Sequence, residues 1–198
     1  MNKTVYLVIV LFALPGCVSD EDITTQEVQS DGEDELGGLN IVAQTLGRNV
    51  DGSHTYNLLE ESGNESTLIL WAAAGCNGCH QWTQMIRECV GNGTIPEDTH
   101  IVTVHRYPSF EDPSYVNRTY GNNSSENYSP WPVLLPEEGS SAWDATSGEI
   151  SDVPLTEAFN NPVTPTLQIL DNEGELVWQS KTYYPDFSVI EEITGVMT

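Results

Sequence analysis

Basic residues are scarce in this sequence of 198 residues. It has 6 lysines and arginines against 30 aspartates and glutamates, a formal net charge of -24 at pH 7. A surface of that charge repels phosphate backbones and anionic lipid headgroups, so the composition argues against nucleic-acid binding. It favours high solubility, and it leaves open a docking role for a cationic partner.

Cysteines are also few, and they do not form the even framework of a small disulfide-stabilised domain. They are Cys17, Cys76, Cys79 and Cys89. Cys17 belongs to the N-terminal segment, whereas Cys76 and Cys79 form a Cys-x-x-Cys motif. The hydrophobic content of 38%, with five tryptophans and eight tyrosines, is sufficient for the core of one domain.

The N-terminal apolar run is too short to cross a bilayer. Residues 4–14 form an apolar core of 11 residues after Lys3, whereas a spanning helix needs about 20. This pattern is typical of a secretory signal. Leu14-Pro15-Gly16-Cys17 follows and resembles the lipobox of bacterial and archaeal lipoproteins. The resemblance implies that residues 1–16 are a signal peptide and that Cys17 is lipidated and anchors the protein to the cell membrane.

Two other interpretations of this segment stay open, an uncleaved anchor and an ordinary secretory signal. All three place the folded part outside the cytoplasm, where disulfides persist. The following residues are acidic and have almost no apolar side chains, most strongly over 19–40. We therefore expect residues 17–48 to be a disordered, self-repelling tether, or alternatively an acidic docking segment, and residues 49–198 to be the folded domain.

Hydrophobic periodicity predicts alternating strands and helices in the domain. Strands are expected at 41–46 and 54–59, joined by an Asp51-Gly52 turn, and at 67–71, 100–105, 161–171 (entered through a proline) and 175–180; helices are expected at 76–90, near 154–160 and at 186–196. Residues 107–136, rich in Pro, Asn, Ser and Tyr, are expected to form a long loop with four candidate glycosylation sequons. The result is an α/β fold with a central mixed sheet, helices on both faces and an N-terminal β-hairpin extension.

This order of elements, with Cys-x-x-Cys at the first helix and Thr164-Pro165 before a late strand, resembles the thioredoxin fold. The runs from Asp51-Gly52 to Trp71 and over 163–174 are similar to the hairpin, first core strand and cis-proline strand of the membrane-anchored TlpA/ResA-type thiol-disulfide oxidoreductases. The resemblance covers residues 50–195. It implies an extracytoplasmic enzyme that needs no cofactor and acts on protein thiol and disulfide clients, such as secreted proteins or apo-cytochromes, and on an upstream redox partner.

The resemblance also implies the roles of individual residues. A thiolate at a helix N-terminus is stabilised by unpaired N–H groups and the helix dipole. Cys76, the more exposed thiol, would attack client disulfides, and Cys79 would resolve the mixed disulfide. Pro165 would be cis, and the Thr164 backbone would hold an extended substrate. The alternative for Pro165 is an ordinary edge-strand proline.

Several positions depart from that family's pattern. Gly75 replaces the usual aromatic residue before the first cysteine, and Asn77-Gly78 contains neither proline nor histidine. Leu70 stands where thioredoxins have a buried acid, and Trp82 where TlpA-like proteins often have one. The usual proton-handling group is therefore absent. His80 or His105 is a candidate substitute, although each is also consistent with a solvated or structural histidine.

Other interpretations of the cysteines remain. Cys76-x-x-Cys79-His80 matches the c-type haem attachment motif with His80 as axial ligand. The same three residues could bind copper or zinc, although no metal is assigned. A thioredoxin-fold module that binds partners with little catalysis is a third possibility. Cys89 is expected to be a buried apolar cysteine, with a regulatory or intermolecular thiol as the alternative.

Overall fold

The computed structural model describes residues 36–197. The predicted signal peptide, Cys17 and the acidic segment as far as residue 35 lie outside the described residues. The strands are β1 (Leu39–Asn40), β2 (Val42–Thr45), β3 (Thr55–Asn57), β4 (Thr67–Ala72), β5 (His100–His105), β6 (Val133–Leu135), β7 (Ser141–Asp144), β8 (Ile150–Pro154), β9 (Thr166–Leu170) and β10 (Leu176–Ser180). The helices are α1 (Leu58–Glu61), α2 (Asn77–Gly91), α3 (Pro113–Val116), α4 (Leu155–Ala158) and α5 (Phe187–Met197).

A seven-stranded mixed sheet in the order β10-β9-β4-β5-β6-β2-β3 organises this part of the chain. Strand β4 is buried along its whole length, as its continuous apolar run predicts for a central strand covered on both faces. It runs parallel to β5 and antiparallel to β9, with Leu70 opposite both Thr103 and Leu167. The predicted central mixed sheet is therefore confirmed, and β4-α2-β5 is its parallel crossover unit.

The side chains of β4 divide the core into two halves because successive residues of a strand point to opposite faces. Leu68 and Leu70 pack with the apolar faces of α2 and α5. Ile69 and Trp71 pack on the other face, against residues of α1, α4 and the second sheet. This second sheet has three strands in the order β1-β7-β8. Among the described residues, no helix has the length and hydropathy needed to cross a membrane.

The compact part of the chain begins before residue 49, where the sequence placed the domain boundary. Strand β2 pairs antiparallel with β3 to form the predicted N-terminal hairpin. Ile41 and Ala43 are buried in the core. The excess of acids ends near residue 36, and the following apolar residues bury enough surface to join the sheet.

The segment 107–136 is not a loop throughout, which corrects the prediction. It contains α3, a turn of π-helix at Asn117–Gly121 and strand β6, which pairs parallel with β5. Arg48 holds this segment by donating hydrogen bonds to the carbonyls of Tyr120 (3.1 Å), Ser129 (2.8 Å) and Trp131 (2.8 Å). The arginine is paired in turn with fully buried Asp51 at 2.6 Å.

Candidate functional site

The Cys-x-x-Cys motif lies at the start of α2, where β4 has left the sheet. Cys76 is the N-cap residue of the helix, and its sulfur accepts a hydrogen bond from the Cys79 N–H at 3.1 Å. Cys76 and Cys79 form a disulfide, with their Cα atoms 5.2 Å apart. Cys76 is partly exposed, whereas Cys79 is fully buried. The first turn of α2 has no acidic residue to offset the positive end of the helix dipole.

The Thr164–Pro165 peptide bond is cis, which confirms the isomer that the resemblance implies. Thr166 lies opposite Trp71 in the sheet. The cis proline, one residue before Thr166, therefore lies at the end of the sheet from which the chain continues after β4 towards the disulfide. Two of the few basic residues fix the preceding turn. Arg106 Nε donates to the Pro162 carbonyl at 2.9 Å, and Lys181 Nζ donates to the Asn160 carbonyl at 3.3 Å.

Three side chains from different parts of the chain hold the loop 73–75 that enters the motif. Glu111 accepts hydrogen bonds from the N–H groups of Ala74 (2.6 Å) and Gly75 (2.8 Å). The Tyr120 hydroxyl donates to the Ala73 carbonyl at 2.8 Å. His80 Nε2 lies 2.8 Å from the Ala74 carbonyl oxygen. We call Glu111, Tyr120 and His80 the loop cradle.

Glu111 is also hydrogen-bonded to His105, the last residue of β5. Glu111 Oε2 lies 2.9 Å from His105 Nε2, and the side chains are 13% and 3% exposed. The Glu111 carboxylate therefore has three nitrogen partners within hydrogen-bond distance in a largely buried setting. Burial, with Glu111 and Tyr115 nearby, raises the pKa of the Tyr120 phenol well above its usual range, so Tyr120 remains a donor.

On the other side of the disulfide, residues 182–184 cross the first turn of α2. A Cβ atom at Gly78 would lie 2.5 Å from the Tyr183 carbonyl oxygen and 3.1 Å from the Tyr183 ring. The indole N–H of fully buried Trp82 donates to the Thr182 carbonyl at 2.8 Å. We call residues 182–184 the strap. Its close approach explains why glycine stands at position 78 and tryptophan at position 82.

The departure at Gly75 has an equally local cause. A Cβ atom at this position would lie 3.2 Å from Glu111 Oε1 and 3.6 Å from the Tyr115 hydroxyl. The aromatic side chain that the resemblance leads one to expect there would compete for this space. Gly75 is therefore matched to the segment 107–121, and Gly78 and Trp82 are matched to the strap.

The sequence-predicted candidates separate into two groups. Cys76, Cys79 and His80 lie together at the start of α2, and Thr164 with Pro165 lies at the adjacent sheet edge. His105 is buried beside Glu111 rather than beside the disulfide. Sequence reasoning did not assign Glu111, Tyr120 or Tyr183 to this site. The missing acids at positions 70 and 82 were the signal that a carboxylate had to be sought elsewhere.

Two further observations concern the competing interpretations. His80 Nε2, the atom expected to ligate a haem iron, faces the Ala74 carbonyl oxygen. Within residues 36–197, no group of three or more His, Cys, Asp and Glu side chains is arranged to hold a metal ion. Cys89 is free and 3% exposed, and burial together with Glu88 raises the pKa of its thiol. This agrees with the expectation of a buried cysteine.

Comparisons with protein-family models and with curated proteins return no match. Solved structures do match. The thioredoxin domain of a thiol-disulfide oxidoreductase from Bacteroides vulgatus is 16% identical, with a TM-score of 0.54, over 82% of this chain and 98% of its own. The exposed lipoprotein thioredoxin of Streptococcus pneumoniae is 19% identical, with a TM-score of 0.52, over 79% and 98%. A thioredoxin-family thiol:disulfide interchange protein from Chlorobium tepidum is 12% identical, with a TM-score of 0.54, over 82% and 95%.

At identities this low, the likeness to solved structures shows the fold alone. The activity has to be inferred from the site. The central mixed sheet with helices on both faces agrees with the fold of these structures. Residues 36–197 therefore have a thioredoxin-like fold, and Cys76 and Cys79 form a disulfide at the start of its helix α2.

Proposed function

We propose that this protein is an extracytoplasmic thiol-disulfide oxidoreductase, anchored to the cell membrane through lipidated Cys17 and acting on protein clients through Cys76 and Cys79. The observation that carries the proposal is the asymmetry of the disulfide. One sulfur is partly exposed and caps a helix, and the other is buried a turn further on. This arrangement suits one attacking and one resolving thiol.

The exchange conserves atoms and electrons. The Cys76 thiolate attacks one sulfur of a client disulfide, the client S–S bond breaks, and the released client thiolate takes up a proton. Cys79 then loses its proton and attacks the Cys76 sulfur, and the second client thiol leaves. The client disulfide is reduced to two thiols while Cys76 and Cys79 are oxidised to a disulfide. The reverse sequence oxidises a client, and the recharging partner sets the direction.

The sulfur of Cys76 is suited to this role by its position. It already accepts the Cys79 N–H, and the helix N-terminus favours negative charge there. The reduced protein would thus hold a thiolate where the disulfide now stands, without a cofactor.

Thr164 and Pro165 are proposed to form the client-binding edge. The Thr164 N–H and C=O lie outside the β9 ladder, which begins at Thr166. The Arg106 and Lys181 contacts hold the preceding turn in place. An extended client segment could pair with this backbone beside the disulfide, as a strand added to a sheet edge does. The acidic surface would favour clients with basic segments.

Mixed-disulfide trapping tests the thiol roles. With full-length protein and a disulfide-bonded client, Cys79→Ser is expected to accumulate a covalent complex through Cys76, because the resolving thiol is absent. Cys76→Ser is expected to accumulate little, and Cys89→Ser to behave as wild type. Equal trapping by Cys76→Ser and Cys79→Ser would overturn the assigned roles, and trapping by neither would overturn the oxidoreductase proposal.

A separate experiment tests the anchor. Expressed from its complete gene in a lipoprotein-processing host, the protein is expected to incorporate a radiolabelled fatty acid and to fractionate with membranes. Cys17→Ala should abolish both. Label retained in the Cys17→Ala variant, or wild-type protein without label, would contradict lipidation at this cysteine and leave the thiol chemistry untouched.

A further inference from the structure

We infer that Glu111 sets the reactivity of Cys76. It is a positioning residue that holds the backbone next to the attacking thiol and places a negative charge at the residue that precedes it. The inference deepens the proposed function because it concerns the reactivity of the same thiol. It supplies, from the segment after β5, a carboxylate that the sequence lacks at positions 70 and 82.

The geometry ties Glu111 to the cysteine through one residue. Gly75 directly precedes Cys76, and its N–H donates to Glu111 Oε1 at 2.8 Å. The Ala74 N–H donates to Oε2 at 2.6 Å. Because Gly75 has no Cβ atom, there is room for the Glu111 carboxylate, which a Cβ atom at position 75 would crowd. The side chain is largely shielded from water, so its charge is screened less than that of a surface carboxylate.

Two opposing fields therefore act on the Cys76 sulfur. The N-terminus of α2 favours the thiolate, whereas a carboxylate beside the preceding residue disfavours it. Glu111 thus makes Cys76 less acidic than the helix end alone would. A less stable thiolate makes the dithiol a stronger reductant, because a stabilised reduced form is what makes a dithiol-disulfide pair oxidising. Glu111 is therefore expected to favour the reduction of client disulfides by Cys76 and Cys79.

Other titratable groups around this loop come from each neighbouring element. They are His105 on β5, His80 on α2, Tyr115 on α3, Tyr120 on the π-helical turn and Tyr183 on the strap. Of these, His105 Nε2 and the Ala74 N–H both lie within hydrogen-bond distance of Glu111 Oε2. A second proton on the His105 ring would therefore neutralise the charge of the His105–Glu111 pair.

The test is the pH dependence of alkylation of Cys76 by iodoacetamide in the reduced full-length protein, with the modified cysteine assigned by peptide mass. Glu111→Gln keeps the size of the side chain and removes its charge. We expect the midpoint of the profile to move to lower pH by about half to one unit, a three- to tenfold faster reaction below the midpoint. In a glutathione buffer, the equilibrium should shift by a similar factor towards the reduced protein.

Glu111→Asp is the matched variant, because it keeps the charge and shortens the reach. It is expected to lower thermal stability while leaving the midpoint near that of wild type. Glu137→Gln removes an exposed carboxylate elsewhere and should change neither quantity. If Glu111→Gln does not fold, Gly75→Ala, which crowds Oε1, should give a smaller shift of the same sign.

Equal midpoints for Glu111→Gln and wild type, or equal shifts for the Gln and Asp variants, would overturn the inference. Neither alkylation nor the glutathione equilibrium needs a client. A shifted profile in a protein that traps no client would thus contradict the proposed function alone. Client trapping without a shifted profile would contradict this inference alone.

Discussion

The indole N–H of Trp82 donates to the carbonyl oxygen of Thr182 at 2.8 Å, across 100 positions of sequence. This bond fixes the strap over the turn of α2 that contains the disulfide. It also gives a fully buried tryptophan the polar partner that its N–H requires. The residue at the position of a family acid thus serves to anchor a neighbouring segment.

Trp82→Phe is therefore expected to destabilise the protein and loosen the strap. The variant leaves the Thr182 carbonyl without its donor and a small void in the core, at a cost of about 1–3 kcal/mol in the free energy of unfolding. Urea unfolding measures this cost, and limited proteolysis at residues 181–185 reports the strap. Trp178→Phe removes a comparable N–H bond, to Glu192, from a partly exposed site. Equal losses for the two variants would contradict a special role of Trp82.

Gly78 tests the same contact from the backbone side. Gly78→Ala would place a Cβ atom 2.5 Å from the Tyr183 carbonyl oxygen, so strap or helix must shift. The expected cost is about 1–3 kcal/mol, despite the better helix propensity of alanine. Gly91→Ala at the other end of α2 meets no atom within 4 Å and is expected to be neutral or stabilising. Unfolding curves that rank the two variants in the opposite order would refute the packing argument.

The elements around the site that sequence alone could locate are those with strong hydrophobic periodicity. The unbroken apolar run of β4 and the single apolar face of α2 each specify one structure and one burial pattern. The alternation of β5 predicts its strand correctly, but residues 101–105 are all buried, so the alternation does not predict the burial pattern. Strand β8 alternates only between exposed and half-buried residues, so it carries little apolar signal, and the second sheet was missed. Periodicity reports burial, and weakly buried edge strands lack it.

The loop cradle was beyond prediction for a different reason. Glu111 meets Gly75 across 36 positions, and no local pattern encodes that distance. Its placement depends on the path of the segment 107–121 after β5. Sequence located Cys76, Cys79 and Pro165 because a motif carries them. It left His80 and His105 as candidates for proton handling. In the structure, His80 instead contacts the Ala74 carbonyl oxygen and His105 contacts the Glu111 carboxylate.

The pair of Arg48 and Asp51 is expected to be critical for stability. Arg48→Ala leaves buried Asp51 unpaired and removes the donor to three carbonyls of the segment 107–136. Loss of one member of a buried ion pair costs about 3–5 kcal/mol. Arg118→Ala, at an exposed arginine of the same segment, should cost less than about 1 kcal/mol. Chemical denaturation compares the two, and a small loss at Arg48 would show that water replaces its contacts.

His100 gives the protein a pH-dependent stability between neutral and mildly acidic conditions. Its ring nitrogens lie 2.7 Å from the Tyr56 hydroxyl and 2.7 Å from the Thr67 hydroxyl, and burial lowers its pKa below the usual value for histidine. The unfolded chain then binds a proton at a higher pH than the folded one. The contribution of His100 to stability is therefore complete above about pH 6.5 and decreases as the pH falls towards the depressed pKa.

Urea unfolding of wild type at pH 7.5, 6.5 and 5.5 is expected to show a falling free energy of unfolding in the acidic half of this range. One proton contributes a slope of at most about 1.4 kcal/mol per pH unit. His100→Gln should reduce that slope, because its side chain does not titrate, although its stability at pH 7.5 should be lower. His54→Gln, at an exposed histidine, should keep the wild-type slope. A slope unchanged by His100→Gln would mean that other groups govern the pH dependence.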